Sequence, residues 1–268
     1  KESHLASEQI LELMDYATAQ GLVPLCTPWD LASAQILDEY GVPGFKVASA
    51  DLTNHPLLSW LANTHRPLIV SSGMSTEEEI VQAVALLQNA ASPFALLHCN
   101  SAYPAAFKDL NLRYMLRLAE IGDCPVGYSG HERGFHVAVA AVAMGARIIE
   151  KHITLDVAGR GNDHVVSLLP QQFSRMVREI RQVEEALGSD RPRTLTQGEQ
   201  LNRLSLAKSL VAARDLSIGS RVKPTDISVR SPGRGLQPNR QQELEGRVIH
   251  RVIRRGAFFE QADLGETT

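Results

Sequence analysis

Six short apolar runs recur along the first 150 residues, and their even recurrence constrains the fold more than any other feature. They are Leu22-Val23-Pro24-Leu25-Cys26, Phe45-Lys46-Val47-Ala48, Leu68-Ile69-Val70-Ser71, Ala95-Leu96-Leu97-His98, Val126-Gly127-Tyr128 and Ile148-Ile149-Glu150. Successive runs start roughly 22–31 residues apart, the length of one strand and one helix. Between them the apolar period changes to that of a helix. Ile80, Ala83, Val84 and Leu87 form one face after the capping sequence Ser75-Thr76-Glu77-Glu78, and Ile10, Leu13, Met14 and Ala17 form another that ends at Gly21. Strands apolar on both faces and alternating with helices predict a parallel sheet of the α/β class, either open and doubly wound or closed into a barrel.

The polar residues favour the barrel. Thr27, Lys46 and Ser49, Ser71, Ser101 and Tyr103, Ser129 and His131, and Glu150 and His152 each stand at or just after the end of one run. An open sheet gathers its ligands at one switch point, whereas a TIM-type (β/α)8 barrel brings every strand end to one mouth. About six strands are legible where a full barrel needs eight. A last helix runs through Phe173, Val177, Ile180 and Glu184 to Gly188. Residues 189–205 then read as a polar linker, and residues 206–268 as a small, mainly β domain with pieces such as Ser209-Leu210-Val211-Ala212 and Arg247-Val248-Ile249.

Composition narrows the function. The net charge of −3 and 44% apolar content point away from nucleic acid as a partner and away from disorder. No apolar run reaches the roughly 20 residues of a membrane span and no signal-peptide pattern opens the chain, so a cytoplasmic protein is expected. Cys26, Cys99 and Cys124, odd in number and without C-x-x-C spacing, read as buried thiols rather than a disulfide framework or a zinc site. From Ser205 onward basic residues exceed acidic ones by about four, which gives the two parts different electrostatic character.

His131 and His152 lie one β/α unit apart, so a barrel puts them on adjacent strand ends within reach of one divalent cation. Glu150 shares the face of His152 by period-two alternation. Lys46, Ser49, Thr27, Ser71 and Ser129 supply an ammonium and hydroxyls suited to a phosphate monoester and a carboxylate, and Ser71-Ser72-Gly73-Met74 before a capped helix offers backbone N–H groups as well. Each serine taken alone reads equally well as a turn or cap residue. Asp51 and Asp163 are candidates for the hydroxyls of a polyol, or simply turn formers.

These segments resemble a known family. Phe45-Lys46-Val47-Ala48-Ser49-Ala50-Asp51, Ser71-Ser72-Gly73-Met74, Leu96-Leu97-His98-Cys99-Asn100-Ser101-Ala102-Tyr103-Pro104, Gly127-Tyr128-Ser129-Gly130-His131 and Ile149-Glu150-Lys151-His152-Ile153-Thr154 are similar, in this order, to the motifs of the N-acetylneuraminate, legionaminate and pseudaminate synthases. Ser231-Pro232-Gly233-Arg234-Gly235-Leu236-Gln237-Pro238 resembles their C-terminal antifreeze-like (SAF) domain. The resemblance implies condensation of phosphoenolpyruvate with an N-acetylated amino sugar, either N-acetylmannosamine or a 2,4-diacetamido-2,4,6-trideoxyhexose, to give a nonulosonic acid and phosphate. It makes His131 and His152 ligands of Mn2+, with Mg2+ or Co2+ as alternatives, and Lys46, Thr27, Ser49, Ser71 and Ser129 contacts of phosphoenolpyruvate. Asp51, Tyr103, Ser101, Glu150 and Asp163 would hold the open-chain sugar, with Asp51, Glu150 and Lys46 nearest the chemistry. It also implies a domain-swapped homodimer in which an arginine of the small domain reaches the partner's site. The family's Arg-Pro-Gly is here Arg230-Ser231-Pro232-Gly233-Arg234, so Arg230 or Arg234 would take that role. Family members begin with two further β/α units, and the expectation for this sequence is a barrel lacking a quarter of its wall. Two other readings stay open: a truncated or degenerate member that binds sugar or metal without catalysis, and a barrel aldolase working through a Schiff base on Lys46.

Overall fold

The computed structural model describes residues 5–264, which fall into two compact units that divide between Gly188 and Ser189. The first is a run of β/α units. Helices α1 (Ser7–Ala19) and α2 (Leu31–Tyr40) precede β1 (Phe45–Val47). Then follow α3 (His55–Asn63), β2 (Leu68–Ser71), α4 (Glu77–Asn89), β3 (Phe94–Cys99), α5 (Tyr114–Gly122), β4 (Val126–Gly130), α6 (His136–Ala143), β5 (Ile148–Lys151) and α7 (Pro170–Leu187). The five strands are all parallel and stand in chain order, each paired with the next. A doubly wound sheet reverses its order at a switch point. Sequential order without reversal curls the sheet one way, and the result is a half-barrel with helices on its convex side.

The β/α spacing places these elements because each buries one face. Phe45, Leu68, Val70 and Leu96 from the strands meet Leu58, Leu61, Leu87 and Met115 from the helices in one core. On α4 the predicted stripe Ile80, Ala83, Val84 and Leu87 is the buried face. Its cap is one residue later than predicted: Thr76 Oγ1 accepts from Glu79 N at 3.3 Å while Thr76 N donates to Glu79 Oε2 at 2.8 Å. On α1 only Met14 is buried and Leu13 is 55% exposed. This helix packs at the margin of the sheet and has a neighbour on one side.

The predicted strand Leu22–Cys26 does not form. It contributes one parallel bridge, Cys26 with Phe45, and Leu22 and Val23 are exposed. A strand is stabilised by cross-strand neighbours, and among the described residues this segment has one on a single side. The sheet therefore has five strands plus a bridge, rather than six.

The second unit has a core of its own, built on Leu210, Leu216, Val222, Leu244, Ile253 and Phe259. Strands β6 (Ser209–Ala212) and β7 (Ile227–Arg230) pair antiparallel, and Arg247-Val248-Ile249 adds only a bridge from Val248 to Arg221. Within the stretch read as linker, Thr196 and Glu199 form a capping box for α8 (Gln197–Leu206); a short helix α9 (Gln241–Leu244) follows β7. No helix of the described residues is long and apolar enough to cross a membrane.

Candidate functional site

The C-terminal ends of the parallel strands surround a cavity of about 700 Å3. Its wall includes Thr27, Lys46, Ser49, Ser71, Ser101, Tyr103, Ser129, His131, Glu150, His152 and Asp163. Asp51 is the one sequence-predicted residue of this unit that does not line it. It sits buried on a short 3-10 turn, Ser49–Asp51, where Oδ1 accepts from Asn54 Nδ2 at 2.9 Å and Oδ2 has no partner. The turn rotates Asp51 behind the wall while Ser49 and Ala50 stay on it. Arg230 and Arg234 belong to the second unit, where both are exposed and neither enters an ion pair among the described residues.

One side of the mouth is cationic. From β1, Lys46 reaches up into the cavity and its Nζ donates to Ser71 Oγ at 2.8 Å and to the Val47 carbonyl at 2.9 Å. Glu150 Oε2 stands 3.6 Å from the same nitrogen. Burial pushes the Lys46 ammonium below its ordinary value, and Glu150 partly restores it. The Ser71–Met74 turn is held closely: the N–H of Ser72 donates to the Leu97 carbonyl and that of Gly73 to Ser49 Oγ. A Cβ at Gly73 would lie 2.3 Å from Ser101 Oγ and 2.7 Å from Ser49 Oγ, so glycine is required for three strand ends to meet here. Those N–H groups are therefore engaged, and α4 begins with Glu77, Glu78 and Glu79. An anion in this cavity would be met by the Lys46 ammonium and the hydroxyls rather than by the start of α4.

The other side carries imidazoles. Register pairs Ser129 with Glu150 across β4 and β5, and Ser129 Oγ donates to Glu150 Oε1 at 2.9 Å. Just beyond these pairs, His131 and His152 face each other with ring centroids 5.2 Å apart. The Asn100 carbonyl lies 2.8 Å from His131 Nδ1, which assigns the proton to that nitrogen and leaves the Nε2 lone pair free. Tyr103 O–H donates to it at 3.2 Å. His152 makes no ring hydrogen bond among the described residues. Burial holds both imidazoles below the ordinary histidine value; for His131 the nearby Lys151 adds to this, and for His152 the His131 ring does.

Neutral, neighbouring imidazoles with available lone pairs are the ligand type that borderline divalent ions take. Among the described residues no group of three or more His, Cys, Asp or Glu is placed for a metal. The donor set thus fits a cation held by two protein nitrogens with the remaining positions open to water or substrate oxygens. Cys99 is the buried thiol the sequence predicts, but sequence reading did not place it at the mouth, where it stands 3.6 Å from His131 Nδ1 and is pushed up by burial. Alternation along Leu97 and Cys99 was the signal for it. Glu132 and Lys151 carried no assigned role in the sequence reading.

Fold and site together define a β/α-barrel unit with an anion-ready wall opposite a pair of cation-ready imidazoles. The chain belongs to the NeuB family, whose pattern matches residues 1–192, and residues 207–265 match the SAF domain. An uncharacterized protein of Methanocaldococcus jannaschii is 41% identical over 238 residues, which are 88% of this chain and 70% of that one. The N,N'-diacetyllegionaminic acid synthase of Campylobacter jejuni is 38% identical over 240 residues, 88% of this chain and 72% of that one. The crystal structure of an N-acetylneuraminic acid (sialic acid) synthetase from Leptospira borgpetersenii, in complex with citrate, superposes with a TM-score of 0.70 at 34% identity, covering 76% of this chain and 72% of that chain.

Proposed function

We propose that the chain condenses phosphoenolpyruvate with an N-acetylated amino sugar to give a nonulosonic acid and phosphate. The observation that carries this reading is the convergence of His131, His152, Lys46 and Glu150 on one cavity from three different strands. Lys46, with Ser71 beside it, would bind the phosphate or carboxylate of phosphoenolpyruvate, the role its partly desolvated ammonium suits. Thr27, Ser49 and Ser129 on the same wall would add hydroxyls to that phosphate or carboxylate, while Ser101, Tyr103, Glu150 and Asp163 would hold the hydroxyls and amide of the open-chain sugar. His131 and His152 would hold the divalent ion, with Mn2+ proposed. Bound there, such an ion supplies Lewis-acid polarisation of the sugar aldehyde and a template for both substrates.

In the reaction, the C2=C3 π pair of phosphoenolpyruvate forms the bond from C3 to the aldehyde carbon while the aldehyde C=O π pair moves to its oxygen; water adds at C2 and gives one proton to that oxygen, and phosphate leaves with the C2–O electron pair as the C2 hydroxyl gives up its proton and becomes the keto group. The wall residues orient the two substrates, and orientation alone supplies a large share of such a barrier. Release of phosphate from phosphoenolpyruvate is the test, with Mn2+ and, in turn, N-acetylmannosamine and the diacetamido-trideoxyhexoses. Sugar-dependent release by the chain supports the reading. No release from phosphoenolpyruvate with any of the sugars, while Mn2+ still binds, would leave a binding protein without catalysis.

One observation favours a second reading: a lysine amine whose pKa is lowered by burial suits imine formation. Borohydride reduction in the presence of pyruvate separates the two. Covalent labelling of Lys46 would indicate an aldolase, and absence of label with phosphate release would indicate the synthase.

A further inference from the structure

Behind the mouth, on the helix side of the sheet, lies an ion pair that the proposed reaction does not touch. Lys151 and Glu132 have side chains without solvent exposure and meet at 3.1 Å. The ammonium spends all three of its donors here: on Glu132 Oε1, on the Gly130 carbonyl at 2.9 Å, and on the Glu132 carbonyl at 2.6 Å. The second carboxylate oxygen, Oε2, accepts from Tyr128 O–H at 2.6 Å. Gly130 makes room for this arrangement, since a Cβ there would stand 2.7 Å from Glu132 Oε2 and 2.8 Å from the Tyr128 ring.

The two carbonyls that Lys151 grips belong to the residues on either side of His131, and Lys151 is itself the residue before His152. We propose that Lys151, with Glu132 and Tyr128, is a positioning group that fixes His131 against His152 and so sets the geometry of a two-histidine cation site. Alternation makes this possible: Glu150 and His152 flank Lys151 and face the mouth while Lys151 points the other way, so one buried ammonium ties the end of β5 to the turn after β4. A packing role alone would not account for it. Apolar residues of similar volume fill such a space at least as stably as a buried ion pair, yet they cannot hold two carbonyls at once. The inference rests on the reading of His131 and His152 as cation ligands.

Titration of the full chain with Mn2+ alone, alongside thermal denaturation, tests both and separates them. Outer groups that orient metal ligands typically contribute 10–100-fold in affinity, so Lys151→Met is expected to bind Mn2+ about 10–100-fold more weakly than the unaltered chain. It also leaves Glu132 buried and unpaired, which lowers Tm. The double variant Lys151→Met with Glu132→Leu removes that lone charge and is expected to regain thermal stability without regaining Mn2+ affinity. Recovery of both would show that the pair only fills space, and would overturn the proposal. Tyr128→Phe, which removes one hydroxyl and keeps the ion pair, should weaken Mn2+ in the same direction by less, and covers the case in which the lysine variants fail to fold. His152→Ala is the control for the underlying reading. If it binds Mn2+ as the unaltered chain does, or if the unaltered chain binds none, the cation site itself fails and the positioning role falls with it. If His152→Ala loses binding while folded Lys151→Met and Tyr128→Phe keep it, the positioning role alone fails.

Discussion

The mouth of the first unit and the loops of the second bury polar groups in opposite ways. In the second unit each buried carboxylate is fully used by its surroundings. Asp226 accepts from Arg214 Nε at 2.7 Å and from Lys223 N at 3.0 Å, and Asp263 accepts from Arg251 and from Glu260 N. These are loop fasteners, and they leave nothing over for a ligand. In the mouth of the first unit the bonding is unfinished: the His152 ring has no partner among the described residues, Lys46 and Glu150 stand apart at 3.6 Å, and the His131 lone pair is met only by a long bond from Tyr103. A buried polar group normally finds its partners. Groups held close to one another with capacity to spare are therefore the mark of a site, and completed caps are the mark of a scaffold.

The largest effect that sharpens this contrast is removal of an imidazole. Outer-shell substitutions already cost up to about 100-fold in metal affinity or activity, so under the proposed function, in which these imidazoles are the ligands, loss of one should reduce sugar-dependent phosphate release by more than about 100-fold. His152→Ala is expected to do this while the chain melts at nearly its original temperature, since that ring has no hydrogen-bond partner among the described residues; His131→Ala should do it too but also lower Tm, because its ring is buried and bonded to Asn100 and Tyr103. A scaffold residue should behave in reverse. Asp226→Ala removes the partner of the Lys223 N–H and of the half-exposed Arg214 guanidinium, at about 1 kcal/mol, and should leave any Mn2+ binding by the first unit unchanged. Trp29 and Trp60, the chain's two tryptophans, both lie in the first unit, so their fluorescence reports that unit while amide exchange reports the second.

Acid should separate the units by onset. Burial lowers His98, His131 and His152 below the ordinary histidine value of 6.5. Between each folded value and 6.5 the unfolded chain binds the extra proton, so stability of the first unit rises with pH across that window and declines as pH falls through it. Asp226 is displaced in a different range. Burial alone would raise it, but Arg214 and the Lys223 N–H bring it below its ordinary 3.8. Its contribution is complete above 3.8 and is lost only as pH falls through the lower folded value. Tryptophan fluorescence should therefore shift at a higher pH than the loss of amide protection in the second unit. Coincident transitions would break the comparison.

Much of this was readable in residue order, and the exceptions share a cause. Strands such as Leu68–Ser71 and the α4 stripe depend on local pattern, which the chain carries openly. The segment Leu22–Cys26 has the same pattern but lacks the second neighbour that makes an apolar run a strand. At the site, strand-end position sufficed for Lys46, Ser71, His131 and His152, because a barrel delivers every strand end to the mouth. It could not reveal Lys151 and Glu132, whose significance lies in where a charged side chain folds back and not in the spacing of the chain. Thr196-Gln197-Gly198-Glu199, a capping box in plain view, was obscured by Pro192 and the polar residues just before it.

Asp51 gives the finest test, because sequence and geometry pull it in different directions. Its place in Lys46-Val47-Ala48-Ser49-Ala50-Asp51 suggests a contact with sugar, whereas the 3-10 turn takes it off the cavity wall. Asp51→Asn retains the oxygen that accepts from Asn54 and replaces the unbonded Oδ2 with an amide nitrogen. The change removes a buried charge with one satisfied oxygen and introduces one unsatisfied donor, so the two costs nearly cancel and stability should move by no more than about 1 kcal/mol. KM for the amino sugar should then stay within about twofold, which corresponds to well under 1 kcal/mol of lost binding. A tenfold rise in KM with kcat preserved would show that Asp51 turns toward the cavity when sugar binds. The rule drawn from the two units would then extend beyond the cavity wall, since the unbonded oxygen of Asp51 would mark the site as the unfinished bonding of the mouth does.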